Sequence, residues 1–598
     1  MSGKKKKKYI RTQNSAAQRN ARSTDNRKAD ANHAGTAKTV TNNAVLTKTD
    51  TKKPVAASRK PSPKKNAPSR KAAPPSPLFD KSNLMEVFAR VFLLTMVFIF
   101  PIAIGPEKYG NITHYKNSVF YVLAALALCS VIVAMIVKVI TTPADQFSVA
   151  LPKFNLPDMA VLFYWGFLFL STLLSPYKEI AFNGQGVRND GLIIQSFYVA
   201  TYFLISHLIK LRQFDLNVYC IGGTAVAVLV MFHFFGIDLL NTGFSKPNWE
   251  SGLLFMGPMG NINLTSYFVT AALVLAAGIF VTGQHLRFDR HGAVIMSCFA
   301  LMLWAELNLN TDAGIVALGV VLLAAMPLML TSLERLGRYL AVLSVASGVI
   351  AFNRLVVKTW ILEKTFGRTG VLLILASIVF GAVSAFICCQ FTVPSVGRVK
   401  EKLDRALSRR RLLAASLAVD ALALISVFVA SFFAAKSQKS GVLYEFGQMI
   451  YHGNFSDAFG HNRMFTWKRS LKLVGKKPIF GSGPDTFCTV FNDVYGEESK
   501  DFFGGRNLDK AHNEYLQLLI CSGITGLGAF VTFIGSLIAK AFRRATDNPL
   551  LVCCGAAVIA YSVHAFFGYS LPINTPLMWV LLGLTGAAVR IDPEDARI

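Results

Sequence analysis

Residues 118–140 read SVFYVLAALALCSVIVAMIVKVI, and this stretch decides the fold. Its 23 residues carry one charge, Lys138, close to the end. As a helix rising ~1.5 Å per residue the run reaches ~35 Å, enough to cross the ~30 Å of hydrocarbon in a bilayer. Outward from it, similar runs recur at 86–106, 158–176, 191–209, 217–240, 263–283, 293–309, 313–331, 336–352, 370–393, 413–435, 513–540, 549–569 and 573–590. Lipid offers backbone polar groups no partner, so each run is expected to be helical. The expected fold is all-α, a polytopic transmembrane helix bundle of about 12–14 spans, with 293–309 and 336–352 the weakest of them.

Charge orients the bundle. Residues 1–75 hold 20 Lys and Arg against three Asp, a net +17 out of +28 for the whole chain. This tail of Lys, Ala, Ser, Thr, Asn and Pro cannot bury enough apolar surface to fold alone, and it lacks the apolar core and cleavage site of a signal peptide. Lys210/Arg212, Arg287/Arg290, Arg335/Arg338, the Arg398–Arg411 run and Lys540/Arg543/Arg544 all fall on the tail's side, the cytoplasm by the positive-inside rule. The expected organisation is a disordered basic cytoplasmic tail over 1–80, a first part of the bundle over 86–435, a large extracytoplasmic loop carrying the chemistry over 436–511 and C-terminal transmembrane helices over 512–598. The localisation is the plasma membrane, multi-pass, with both termini cytoplasmic. The tail's expected partners are anionic membrane lipids rather than nucleic acid. Of nine cysteines only Cys488 sits in a large loop, and no disulfide framework or metal spacing is visible.

The long loop is the main polar interruption. Arg463 to Val474 has helical spacing, with Trp467, Leu471 and Val474 on one stripe and Lys468, Arg469 and Lys472 beside it. Such a helix fits either an anionic headgroup surface or a phosphorylated ligand held by guanidinium donors. Pro478-Ile479-Phe480-Gly481-Ser482-Gly483-Pro484 then breaks it, and its glycines permit either a tight turn or close approach of a ligand. His512 precedes Asn513-Glu514 at the head of the next span, where the helix dipole favours neutral imidazole, available as a base.

Together these pieces identify a likeness. Arg463 and Trp467, Lys477 to Pro484, His512-Asn513-Glu514-Tyr515-Leu516-Gln517 and Gly523-Ile524-Thr525-Gly526-Leu527 resemble the O-antigen ligase/polymerase family of bacterial envelope glycosyltransferases. Phe182-Asn183-Gly184 with Arg188-Asn189-Asp190-Gly191, and Gly260-Asn261-Ile262-Asn263, resemble that family's earlier extracytoplasmic segments. The likeness covers roughly 155–590. It implies a metal-independent enzyme without cofactor that passes a glycan from a polyprenyl-diphosphate carrier to a glycan, lipid, wall-polymer or protein acceptor. By matching position it gives Arg188 and Arg463 to the diphosphate and His512 to the acceptor hydroxyl, as catalytic residues. Arg469, Lys468, Asn513, Glu514, Gly481 and Gly483 follow as substrate-binding or orienting residues, with His461 second in rank. Residues 308–314 lack an arginine that the family pattern leads one to expect, leaving Arg469 or Arg506 to supply it. A lipid-linked oligosaccharide flippase and a non-catalytic assembly scaffold are the competing readings.

Overall fold

The computed structural model describes residues 83–143, 153–186, 189–243, 257–283, 289–324, 326–330, 332–357, 366–388, 394–437, 442–453 and 455–591. The tail expected over 1–80 and Arg188 lie outside them. Helices are α1 Leu84–Leu94, α2 Ile112–Thr141, α3 Leu156–Leu174, α4 Lys178–Asn183, α5 Leu192–Leu208, α6 Gln213–Phe234 and α7 Ile262–Thr282. They continue as α8 Arg290–Leu309, α9 Asp312–Ala324, α10 Met326–Met329, α11 Leu333–Arg354, α12 Gly367–Cys388, α13 Pro394–Ala406 and α14 Arg409–Lys436. The remainder are α15 Val442–His452, α16 Arg463–Val474, α17 Phe487–Phe503, α18 Glu514–Arg543, α19 Pro549–Phe567 and α20 Thr575–Arg590. No strand occurs among the described residues.

Among the described residues eleven helices are long and apolar enough to cross a bilayer, and α5, α9 and α20 are shorter apolar ones. The chain is a multi-pass, all-α membrane protein, and every expected run reappears as a helix. The two weakest runs are full-length, as α8 and α11. The expected span 313–331 is represented by α9 and α10, Asp312–Ala324 and Met326–Met329.

Local sequence explains the helix starts. Asn155, Asn261, Asp289, Ser332, Asn513 and Asn548 each accept a main-chain N–H of the following turn, which satisfies donors that a helix start leaves open. The Gly-Asn-x-Asn segment at 260–263 is therefore the cap of α7. That helix is buried along almost its whole length, packed between α6, α8, α9 and α19. By contrast α12 and α14 are mostly exposed, as lipid-facing helices are; α11 and α12 pack chiefly on each other.

The two ends differ in chemistry. One carries Lys210, Arg212, Arg335, Arg338, Arg544 and Arg590, laced by Arg90–Asp215 at 3.2 Å, Arg338–Glu334 at 2.8 Å and Arg590–Asp158 at 2.6 Å. The other gathers the heads of α5, α7, α9, α18 and α20 with the loops around α16 and α17. At that end Pro101 breaks the helix begun by α1, and the buried Lys116 ammonium donates to the carbonyls of Pro101 at 2.8 Å and of Phe100 at 3.0 Å, the second of which also accepts the Ala103 N–H at 3.3 Å. Leaving the Pro101 carbonyl without that donor costs about 1–3 kcal/mol. Lys116→Met is therefore expected to lower the thermal unfolding midpoint of the detergent-purified protein, and an unchanged midpoint would refute this role.

Candidate functional site

The site end is assembled by main-chain docking. Helix α18 is broken at Gly523, with φ 66° and ψ −172°, so carbonyls before the break and N–H groups after it lose their intrahelical partners. The turn at 478–484 replaces them. Ser482 and Gly483 donate to Ile520 and Cys521 at 3.0 and 2.8 Å, while Ile524 and Thr525 donate to Pro478 and Ile479 at 2.9 and 3.3 Å. From α3, Ser171 donates to the Cys521 carbonyl at 2.8 Å and Ser175 to that of Ser482 at 2.5 Å. Gly481 has φ +70°, and a Cβ there would collide with the Cys521 backbone. Gly483, at φ +115°, lies equally close to Ala181 and Ser175. Gly481 thus serves the approach of one backbone to another and Gly483 the approach of the turn to the side chains of Ala181 and Ser175, the tight turn that was one of the two readings of this stretch.

Beside this joint lies a buried ionic group. Lys510 donates to Asp485 at 2.9 Å and Asp190 at 3.3 Å. Asp485 also accepts the main-chain N–H groups of Gln185 and Asp190 at 2.8 and 3.0 Å, and Asp190 accepts from Gln195 at 3.0 Å and Ser570 at 3.2 Å. Burial works against the Lys510 charge, but Asp485 and Asp190 hold the ammonium well above its usual range. Burial pushes Asp190 up to about 6, opposed by Lys510 and reinforced by Asp485. A cavity of about 30 Å³ adjoins the group, walled by Asp190, Asp485, Glu514, Gln517, Tyr164 and Trp579; it has room for a water or two.

Arg463 and His512 both lie by Tyr569 at the mouth. Trp467, one turn after Arg463, donates its indole N–H to the Ala511 carbonyl at 3.1 Å, and the Ala511 N–H is held by Gln517 at 2.9 Å. His512 therefore projects from a fixed main chain, at φ 51°. Its ring stands edge-on to Tyr569, with centroids 4.8 Å apart. Arg463 is half-buried, and burial lowers its guanidinium against the pull of Asp312, Tyr267, Tyr569 and Glu445. Among the described residues its side chain meets one acceptor, the Gly460 carbonyl at 3.4 Å, and no carboxylate within ion-pair distance.

Other expected site residues are placed differently. Arg469 is engaged by Asp457 at 3.0 Å and Glu498 at 2.5 Å and stacks on Phe465, and Lys468 is engaged by Asp457 at 3.0 Å. Both brace α16 against its surroundings. Asn513 caps α18, accepting from Leu516 at 3.0 Å, and Glu514 is buried, accepting the Tyr561 hydroxyl at 2.6 Å. His461 pairs with Asp312 at 3.4 Å, and Arg506 is exposed on its loop. The stripe Trp467–Leu471–Val474 is not the buried face: Phe465, Thr466, Ser470 and Leu473 are, because small Thr466 and Ser470 admit close packing and Phe465 stacks on Phe502 at 4.3 Å, leaving Leu471 exposed.

Asp190, Asp485 and Lys510 were not singled out from the sequence, although each lies in or beside a quoted motif. The available signal was an acid next to each glycine-rich turn and a lysine two residues before His512. Of eight left-handed non-glycine residues among those described, Asn189, His461, Asn462, Asp485 and His512 lie in these segments. Backbone strain of this kind, ~1–3 kcal/mol each, concentrates at functional sites. Among the described residues no three His, Cys, Asp or Glu side chains are grouped to hold a metal.

Fold and site together define a multi-pass helical membrane protein with a polar, partly sealed site at one end. No protein-family model matches the chain, and no curated protein matches it significantly.

Two outcomes follow from this geometry. Gly481→Ala combines a left-handed φ with a backbone collision, so it should destabilise the protein by more than the ~1–2 kcal/mol of the φ alone. Gly475→Ala, whose Cβ would meet only open space and the Lys472 carbonyl at 3.9 Å, should leave the unfolding midpoint nearly unchanged; equal effects of the two would refute the docking account. Asp190, raised to about 6 when folded against about 3.9 in an unfolded chain, binds more protons in the native state between those values. Its contribution to stability is complete below the lower value and is lost as pH rises through the upper one. Wild-type stability relative to Asp190→Asn should accordingly fall across that window, as measured by denaturation at stepped pH.

Proposed function

We propose that the chain transfers a glycan from a polyprenyl-diphosphate carrier to an acceptor at the extracytoplasmic face of a bacterial membrane. In this reading it is a metal-independent glycosyltransferase similar to the O-antigen ligases and polymerases. The observation that carries the reading is Arg463. Lys510, Arg469, Arg90 and Arg590 all have carboxylate partners, whereas this half-buried guanidinium has none within ion-pair distance among the described residues, and it faces the same aromatic wall as His512. A cation set aside in this way fits an anionic ligand, and a diphosphate offers the acceptors a guanidinium fork requires.

The chemistry is a displacement at the anomeric carbon. The acceptor oxygen bonds to that carbon while the carbon–oxygen bond to the diphosphate breaks and its electron pair leaves with the phosphate. Arg463 meets the charge that develops there, and His512 takes the acceptor proton. Arg188 is the second guanidinium of the proposal; Gln185 and Asp190, on either side of it, are tied by their N–H groups to Asp485. The excess of Lys and Arg at the opposite end makes that end cytoplasmic and this one extracytoplasmic, with both termini inside. Asn513 orients His512 by fixing the start of α18.

A lipid-linked oligosaccharide transporter is the second reading, favoured by Glu306 and His564, ionisable residues buried inside the bundle. The two readings separate on one pair of variants. Arg463→Ala and His512→Ala should each lower transfer by ~10²–10³-fold at unchanged protein abundance, with carrier-linked glycan accumulating in the membrane by mass spectrometry. Single repeat units on the carrier would indicate a polymerase, long chains a ligase. Normal transfer in both variants would defeat the enzyme and leave the transporter.

A further inference from the structure

Below the mouth, where α7, α8, α9 and α19 meet, polar side chains form one hydrogen-bonded chain sealed from solvent. The Ser266 hydroxyl lies 3.1 Å from His564 Nε2 and 2.5 Å from Glu306 Oε1, and the Thr311 hydroxyl lies 2.8 Å from Ser266 Oγ. Ser266 is 0%, Glu306 1%, His564 1% and Thr311 3% exposed, so water does not dilute these interactions. The contact depends on glycine: a Cβ at Gly314 would strike both Glu306 and Ser266. Yet the chain is incomplete. Glu306 Oε2 and His564 Nδ1 have no partner within hydrogen-bond distance among the described residues, and the Thr270 hydroxyl, one turn along α7, faces the same Glu306 carboxyl.

Counting hydrogens shows what would complete it. In one arrangement His564 Nε2–H donates to Ser266, Ser266 donates to the Glu306 carboxylate, and Nδ1 is bare. In the other Glu306 carries a proton and donates to Ser266, Ser266 donates to Nε2, and the imidazole proton sits on Nδ1. Thr311 donates to Ser266 in both, so every lone pair of that hydroxyl is used. The second arrangement holds one proton more. The two interconvert when a proton joins Nδ1, the Nε2 proton passes to Ser266, and the Ser266 proton passes to Glu306.

We propose that His564, Ser266 and Glu306 form a buried binding site for one exchangeable proton, relayed between imidazole and carboxyl through the serine hydroxyl. The proton removes a carboxylate charge that has no cationic partner in an apolar interior. Groups facing the site are Tyr267 of α7, its ring centroid 3.8 Å from that of His564; Tyr561 of α19 with Glu514 of α18; and, towards the mouth, Arg463 with Asp312 of α9. Arg463 is the permanent cation of this set. Nothing in the proton site depends on glycan transfer.

Infrared difference spectroscopy of the full-length, detergent-purified protein, titrated from acid to alkaline pH, tests this. A carboxylic-acid band that titrates and is lost in Glu306→Gln is expected. Ser266→Ala, which removes the bridge, should move its midpoint by about one pH unit or more, a tenfold change in proton affinity. Should Glu306→Gln not be recovered, carbon-13 glutamate labelling assigns the band in the wild type, and the Ser266→Ala shift decides. An ionised Glu306 throughout the titration, a midpoint indifferent to Ser266→Ala, or a band abolished by sodium at fixed pH would each overturn the proposal, the last in favour of a metal cation.

Discussion

The ammonium of Lys510 is the point on which the site end of the bundle depends. It joins Asp190, 320 positions away in sequence, to Asp485 on the turn that feeds α17. Two carboxylates around one ammonium, all nearly sealed from water, leave little tolerance for the loss of a member, because the others would then be buried without compensation. Asp485 spends its second oxygen on the N–H groups of Gln185 and Asp190. The ion triad thus anchors both Gln185 and Asp190 ahead of α5. Everything the mouth displays is hung from that frame.

The frame itself follows from hydrocarbon. A long helix can break at Gly523 near the membrane only if something else satisfies the freed groups, and the turn at 478–484 does so with four main-chain bonds. Once the turn is wedged there, α16 ends beside α18. Trp467 can then reach the Ala511 carbonyl, which fixes the residue before His512. The order of causation runs from a backbone requirement to a side-chain geometry. Gly481 and Gly483 are therefore as necessary to the position of His512 as the residues that touch it.

That order explains what could be read from sequence. Spans were legible because bilayer thickness dictates both length and apolarity, and residues 118–140 allow no other reading. The convergence of the motif segments was legible because polar stretches at corresponding ends of spans must share one face. The division of labour inside the motifs was not. Lys510 with Asp190 leaves no local pattern, since the partners are hundreds of residues apart. Arg469 looked free because nothing in sequence shows that Asp457 and Glu498 come to meet it. Glu306 and His564, taken singly as rare ionisable residues, became a chain only when the fold placed Ser266 between them.

The charges then sort into two kinds. Lys510, Arg469, Arg90 and Arg590 hold the structure through carboxylates, and removing a partner from any of them strands a charge; Lys116 does so through main-chain carbonyls. Arg463 is held by packing instead, between the aromatic wall of Tyr267 and Tyr569 and the turn at Gly460. Packing can carry an uncompensated guanidinium because the mouth stays partly open, where the desolvation cost is smaller than in the interior. A paired arginine would have to break its existing contact before gripping a ligand, so its binding energy would be offset by that loss. Arg463 has only its long bond to the Gly460 carbonyl to surrender among the described residues. Arg463 thus keeps its charge available at the mouth, beside the Tyr569 ring that His512 also meets, while Lys510, Arg469, Arg90 and Arg590 are engaged by carboxylates within the fold.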